Sequence, residues 1–295
     1  MRTILLAAAA LGAAGAVSAQ TRTDFEFRRE LAAGKRFHLH NIIGDVQVTG
    51  GAGRTVQVTA VKKEGRHGNP EDVTIETIEL SDGVALCVRY PGQRRDDRPD
   101  EDGKERSSKS PCSTRGSWNN NERNDTQVNF TVRVPSGLML RLGTVSGDLL
   151  ANDLEGELDL TSVSGDVRLD GGRGQGINLE TVSGDVDLLN VRAREVSGHT
   201  VSGEVTFRGP VLDGGSYDFS TTSGDITVGL PERPNATLSA ATFSGRFSSD
   251  LDTTQQPGRN RRRHNATWGS GSAKLDVETL SGDIRITTST PLRPR

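Results

Sequence analysis

The chain has 295 residues, of which only 32% are apolar in the broad sense and 4% aromatic, while 35 are glycine and the mean hydropathy is −0.52. So little apolar material excludes a helical bundle, and the lack of a second apolar stretch of about 20 residues excludes a membrane-embedded body. With 36 Lys and Arg against 39 Asp and Glu, the formal charge of −3 selects no class of partner and makes nucleic acid a poor one.

Residues Met1 to Gln20 place Arg2 before an apolar run from Ile4 to Val17, then the small residues Val17-Ser18-Ala19. This reads as a signal peptide, cleaved after Ala19 (1–19), which predicts export to the periplasm, the cell surface or the medium. About 14 apolar residues rise only about 21 Å as a helix, short of a hydrocarbon core of about 30 Å, so no membrane span is expected once the leader is gone. Residues 20–36 read as a lead-in. The segment Phe37 to Val48 then alternates apolar residues around Ile43-Gly44-Asp45 and is counted as a diverged first turn of a repeat that becomes explicit at Ser146.

Between Val48 and Leu138 the pattern is hidden. Alternation over Thr55–Val61, Val73–Ile78 and Val128–Val132 predicts strands there. A charged, Ser/Asn-rich stretch (91–125) reads as an exposed excursion. Cys87 and Cys112 are the chain's only two cysteines, and an exported protein with an even count is expected to pair them. Closing that loop would remove about 3.5 kcal/mol of denatured-state entropy on a loop-closure model. The alternative is a buried Cys87 thiol and a free Cys112.

From residue 146 the sequence repeats. Ser-Gly-Asp stands at Ser146, Ser164, Ser183, Ser223 and Ser281, with Ser202-Gly203-Glu204 and Ser244-Gly245-Arg246 as variants, in steps of 18, 19, 19, 21, 21 and 37 residues. Aligned on the serine, position +3 is always apolar (Leu149, Val167, Val186, Val205, Ile226, Phe247, Ile284), and so is position −6 (Leu140, Leu158, Ile177, Val196, Tyr217, Leu238, Leu275). Period-two alternation on each side of the serine predicts two short strands per repeat joined by a corner. The glycines (Gly147, Gly165, Gly184, Gly203, Gly224, Gly245, Gly282) are expected to supply a positive φ or a close approach of backbones. Position −2 is Thr or Ser throughout, which predicts a hydroxyl ladder beside the serine column.

The fold class expected is therefore all-β: a β-solenoid, parallel β-helix-like, with 18–21-residue turns, spanning 37–290 and carrying two polar excursions (91–125 and 253–271), before a tail at 291–295. One turn offers about five inward apolar side chains, too few to order about 19 residues alone, so each turn depends on its neighbours.

Candidate site residues are few. Both tryptophans lie in the excursions, and Trp118, Arg261, Arg262, Arg263 and Trp268 form a candidate basic–aromatic contact for an envelope glycan or protein. A solvated loop tip with its Trp folded back on the solenoid edge is the plainer reading. The aspartate column invites a calcium reading, but the Gly-Gly-x-Gly-x-Asp nonapeptide of calcium β-rolls is absent, and Glu204 and Arg246 interrupt it. Five histidines and two cysteines show no zinc-ligand spacing, so no metal or cofactor is expected. For an acid–base pair the least unsuitable carboxylates are Asp148, Asp166 and Asp185, yet they recur with the turn instead of converging, so no enzyme is expected.

Thr181-Val182-Ser183-Gly184-Asp185-Val186 resembles the repeating motif of a bacterial putative-adhesin family of β-strand-repeat envelope proteins of unknown function. The likeness covers at least Leu138 to Thr287. It implies a β-solenoid on an exported or tethered protein, with an adhesin-like role and no catalytic residues to carry over.

Overall fold

A computed structural model describes residues 24–95, 110–115, 124–253 and 263–289. Its first part contains β1 (Phe25–Glu30), β2 (Arg36–His40), β3 (Val46–Gly51), β4 (Thr55–Lys63), β5 (Thr74–Leu80), β6 (Gly83–Arg89), the short β7 (Arg94–Arg95) and β8 (Thr114–Arg115), and β9 (Gln127–Pro135). Strands then come in pairs around each Ser-Gly: β10 (Leu138–Gly143) with β11 (Leu149–Asn152), β12 (Gly156–Thr161) with β13 (Val167–Asp170), and β14 (Arg173–Glu180) with β15 (Val186–Leu189). The series continues with β16 (Arg192–Ser202) and β17 (Val205–Arg208), β18 (Ser216–Ser223) and β19 (Ile226–Leu230), and β20 (Ala236–Ser244) and β21 (Phe247–Ser249). The last elements are β22 (Arg263–Trp268), β23 (Ala273–Ser281) and β24 (Ile284–Thr288).

The first strand of each pair lies in one 11-stranded sheet and the second in another, and within each sheet the successive repeats pair in parallel. The predicted solenoid is thus a two-sheet stack in which every rung crosses from sheet to sheet at Ser-Gly. Register follows the sequence columns: Leu140 pairs with Leu158, Ile177 with Val196, Val167 with Val186, and Val186 with Val205. These side chains are buried and form one continuous core. The diverged first turn obeys the same register, with Phe37 opposite Leu140, Leu39 opposite Leu142, and Val46 opposite Leu149.

Core columns adjust to one another locally. At Gly198, which stands where Leu142, Leu160 and Leu179 stand in earlier rungs, a Cβ would lie 2.9 Å from Leu188 and 3.3 Å from Phe219. The space so freed admits Phe219, whose ring stacks on Phe207 at 4.9 Å. Tyr217 is also fully buried, and its hydroxyl donates to Ala193 O at 2.8 Å and accepts from Leu212 N–H at 2.7 Å.

Both ends depart from sequence order. At the carboxyl end the stack runs β18–β19, β23–β24, then β20–β21, because β23 pairs with both β18 and β20. The rung of Ser281 therefore lies inside the rung of Ser244, and the 37-residue step holds β22, which pairs antiparallel on the outer side of β20. At the amino end β6 pairs with β2 and β9 with β3, so the outermost rung is made of two strands separated by the 91–125 excursion. Antiparallel β5 covers β6, while β4 and then β1 cover β9. Residues 25–30 are thus a sheet strand and not a lead-in. Antiparallel edge strands interrupt the parallel repeat that would otherwise template further pairing.

The excursions also differ from expectation where they are described. Residues 263–268 form β22 with Ala266 and Trp268 buried, so the second excursion is not a loop throughout. In the first, Arg94–Arg95 pair with Thr114–Arg115, and Cys87 and Cys112 form a disulfide with Cα atoms 5.3 Å apart. Cys112 packs with Ile78, Ala85 and Cys87 on the outer face of β6, fastening the excursion to the end of the stack.

Candidate binding surface

The corner is built by three side-chain types with separate tasks. The residue at −2 does not ladder with its own kind, as the sequence led us to expect. Each hydroxyl instead donates to the glycine carbonyl of the adjacent rung: Thr181 to Gly165 O at 3.0 Å, Thr200 to Gly184 O at 2.9 Å, and Thr242 to Gly282 O at 2.9 Å. These hydroxyls are buried, and a buried donor left unpaired would cost about 1–3 kcal/mol.

The glycine allows that carbonyl to come close. In the middle of the stack Gly184 has φ +151° and a Cβ there would lie 2.2 Å from Gly165 O. Gly147, Gly165, Gly203, Gly224 and Gly282 repeat this conformation, whereas Gly245 in the outermost rung does not adopt a positive φ and is needed only for its approach to Gly282 O.

The aspartate forms the ladder. Asp166 N–H donates to Asp148 Oδ1 at 3.0 Å, Asp185 N–H to Asp166 Oδ1 at 2.8 Å, Glu204 N–H to Asp185 Oδ1 at 2.8 Å, and Asp283 N–H to Asp225 Oδ1 at 2.7 Å. The ladder begins outside the recognisable repeat, where Asn129 Oδ1 accepts from Asp45 N–H at 3.0 Å and the Asn41 amide, in the hydroxyl column, donates to Val128 O at 2.8 Å. Asn129 escaped the sequence reading because nothing around it spells Ser-Gly-Asp; its only signal was the alternation of Val128–Val132. The ladder ends at Arg246, whose N–H donates to Asp283 Oδ1 at 2.8 Å and whose guanidinium pairs with Asp283 Oδ2 at 2.9 Å. Hydrogen bonds from Arg246 hold the Asp283 carboxyl below the usual range.

A carboxylate that accepts a backbone N–H from the next rung is replaceable by an amide oxygen but not by a methyl. Asp166→Asn should therefore unfold within about 0.5 kcal/mol of the wild type, while Asp166→Ala should lose about 1 kcal/mol, or a few degrees in melting temperature. Thermal unfolding monitored by circular dichroism checks this; equal losses in both variants would remove the ladder as a source of stability.

Of the basic–aromatic contact read from the sequence, Arg263 and Trp268 fall among the described residues. Trp268 is 9% exposed, its Nε1–H donates to Asp252 O at 2.7 Å and its ring belongs to the core, so it is no ligand platform. Its place beside Ala236 at the end of β20 explains why: the last rung needs a large apolar side chain to close the core. Arg263 donates to Ser239 Oγ at 3.0 Å and pairs with Glu278 at 3.1 Å across neighbouring strands. Trp118, Arg261 and Arg262 lie outside the described residues.

The columns bring no other reactive constellation together. Among the described residues no three His, Cys, Asp or Glu converge as metal ligands do. Asp148, Asp166 and Asp185 lie in successive rungs, each with one oxygen engaged in the ladder. A recess of about 320 Å³ at the amino end is lined by Gly50, Gly51, Ala52, Ser136, Asp153 and Glu155, with no histidine, lysine or aromatic side chain beside its two carboxylates.

What the corner does leave open is position −1. Val145, Val163, Val182 and Val201 are 36%, 44%, 46% and 47% exposed, and Leu280 is 54% exposed. The apolar parity that breaks there in the sequence marks side chains facing water.

A crystal structure described as a putative cell adhesion protein from Clostridium sporogenes is 12% identical, with 91% of this chain and 100% of that one aligned at a TM-score of 0.39. Another, described as a putative adhesin from Bacteroides fragilis, is 12% identical, with 90% and 98% of the two chains aligned at a TM-score of 0.42. No curated protein matches the chain. The model of the Toastrack DUF4097 family matches residues 121–287, more than half of the sequence and all of the regular rungs, and the chain belongs to that family.

Proposed function

We propose that the chain is a non-enzymatic, exported protein of the cell envelope, an adhesin-like β-solenoid that binds or scaffolds an envelope glycan or protein. One observation carries the reading: the threonines and aspartates of the repeat are engaged in building the corner. Thr hydroxyls satisfy glycine carbonyls and aspartates satisfy backbone N–H groups, so the repeat builds a long surface of identical elements and not a single reaction centre. Extended solenoid surfaces of this kind suit recognition of large or repetitive partners. The leader (1–19) supports export of the β-solenoid to the periplasm or beyond, and no helix among the described residues is long and apolar enough to cross a membrane.

The test is retention. The chain lacking residues 1–19 should be held by envelope fractions or by members of a glycan array; failure to be retained by any of them would overturn the proposal. A polysaccharide-cleaving reading makes the opposite prediction, that Asp166→Asn and Asp185→Asn abolish depolymerisation while leaving the fold intact.

A further inference from the structure

The exposed row at position −1 needs its own account. Thr, Gly and Asp of the repeat each have a structural task, whereas the residue before the serine is half out of water rung after rung. In spatial order the row reads Val145, Val163, Val182, Val201, Thr222, Leu280 and Phe243, so one hydroxyl interrupts six apolar side chains. Strand propensity favours valine, but Leu280 continues the row without a branched Cβ. In a chain with only 32% apolar residues, aligning so many of them on one solvated edge is not an accident of composition. At the amino end the row stops: Ile42, the equivalent residue, is 7% exposed.

Three residues on, across the same corner, runs a row of exposed carboxylates: Asp148, Asp166, Asp185, Glu204 and Asp225. In Asp148, Asp166, Asp185 and Asp225 one oxygen accepts the N–H of a neighbouring rung, and the charge has no cationic partner at ion-pair distance among the described residues. Between the two rows stand the exposed serines Ser146, Ser164, Ser183, Ser202 and Ser223, whose hydroxyls bond to no other described residue. The corner thus presents an apolar row of seven rungs about 4.8 Å apart, about 29 Å long, with a hydroxyl row and an acidic row beside it over the first five rungs, about 19 Å.

We infer that this strip is a docking surface for a basic amphipathic helix of a partner protein. The inference deepens the reading of the chain as a binding module and rests on it. Charge complementarity sets the sign of the partner, because the acidic row lies along one flank of the apolar one. Helical geometry follows from where the cations must be. In a strand alternate side chains point to opposite faces, so lysines would face away when the apolar residues met the valines; in a helix, cations flank the apolar stripe and can reach the carboxylates. About 20 residues of helix, rising about 1.5 Å each, match the apolar row. A second copy of the chain is a poorer occupant, since one row of half-exposed side chains falls well short of the about 800 Å² per partner of a standard interface.

The probe is a labelled helical peptide of about 20 residues with a leucine stripe flanked by lysines, titrated with the chain lacking 1–19 and followed by fluorescence anisotropy. Binding should weaken about tenfold between low salt and about 0.3 M salt. Val163→Ser, Val182→Ser and Val201→Ser combined should weaken it at least about tenfold without altering the melting temperature, because these side chains contribute little to the core. Asp166→Asn with Asp185→Asn should weaken binding and flatten its salt dependence while keeping the ladder. No binding, equal binding by the triple variant, or equal binding of a peptide with glutamate for lysine would overturn the inference. A dimer seen by light scattering in the wild type and lost in the triple variant would assign the strip to self-association and overturn it too. Undiminished retention of the triple variant by envelope fractions would refute the strip and leave the binding module standing, whereas no retention even of the wild type would remove the module itself.

Discussion

Gly184→Ala should lower the unfolding free energy by about 3–5 kcal/mol, the sum of an overpacking cost and a strained positive φ for alanine. Gly184 has φ +151°, and its added Cβ would lie 2.2 Å from Gly165 O and 3.0 Å from Asp166 Oδ1. The same carbonyl accepts the Thr181 hydroxyl, and that oxygen of Asp166 accepts Asp185 N–H, so backing away from the methyl would loosen two of the bonds that link this rung to the one before. Relief by moving a side chain is impossible because the nearest atom is backbone. The rung also lies in the interior of the stack, where each repeat is held by its two neighbours, so a defect there separates two blocks instead of fraying an end. Gly214→Ala is the control: φ is +70° and nothing lies within 4 Å of the new Cβ, so only the conformational cost of about 1 kcal/mol applies. Urea unfolding of the two variants measures the difference. Losses within about 1 kcal/mol of each other would mean that the corner tolerates a side chain and that the close approach of carbonyls is not what selects glycine.

The interior columns were legible in the sequence because a parallel stack repeats one environment. Leu149, Val167, Val186 and Val205 occupy equivalent places, so the spacing of Ser-Gly yields register as well as strands. The same equivalence hides order. Any two rungs with matching columns can pair, and the hydrophobic pattern therefore says nothing about whether Ser281 precedes or follows Ser244 in space. The polar column holds the missing direction: where aspartate stands in it, its carboxylate accepts the N–H of the following rung, so a rung with arginine in that place can donate to its predecessor but offers no acceptor to a successor. Arg246 must close the ladder, as it does. The role of Trp268 was hidden for another reason. An arginine-rich, polar surrounding reads as loop, while the need of an end rung for an apolar lid is a property of the assembled stack.

The exposed row was legible only as a break in parity at position −1, and its meaning depended on knowing which face of the corner met solvent. Buried polar groups at the amino end were hidden in the same way. His38 and His40 alternate with Phe37 and Leu39, a pattern that predicts outward, solvated histidines on a half-buried strand. Instead His38 is 4% exposed, and its Nδ1 has no hydrogen-bond partner.

Stability should consequently fall with pH in a window set by His38. Burial, reinforced by the charges of His40, Arg141 and Arg36, lowers its pKa from 6.5 to about 4. His40 is shifted the same way by burial and by Arg89. A base whose folded pKa is depressed binds its proton more readily when unfolded, so the native state has its full advantage above about pH 6.5 and loses it progressively as the pH falls toward about 4. For His38 alone the loss between pH 8 and pH 5 is about 2 kcal/mol, rising to about 3 kcal/mol once the pH is below 4. The carboxylates do not confuse this window. Asp125, Asp213 and Asp283 are shifted below 3.8, so their contribution is present above that value and is lost only at still lower pH. His38→Leu replaces a buried titrating ring by a side chain that cannot charge; its unfolding free energy, from urea titrations, should vary between pH 8 and pH 5 by about 2 kcal/mol less than that of the wild type. If the two proteins lose stability in parallel across that range, the proton is taken up elsewhere and His38 is not the group that makes the amino end sensitive to acid.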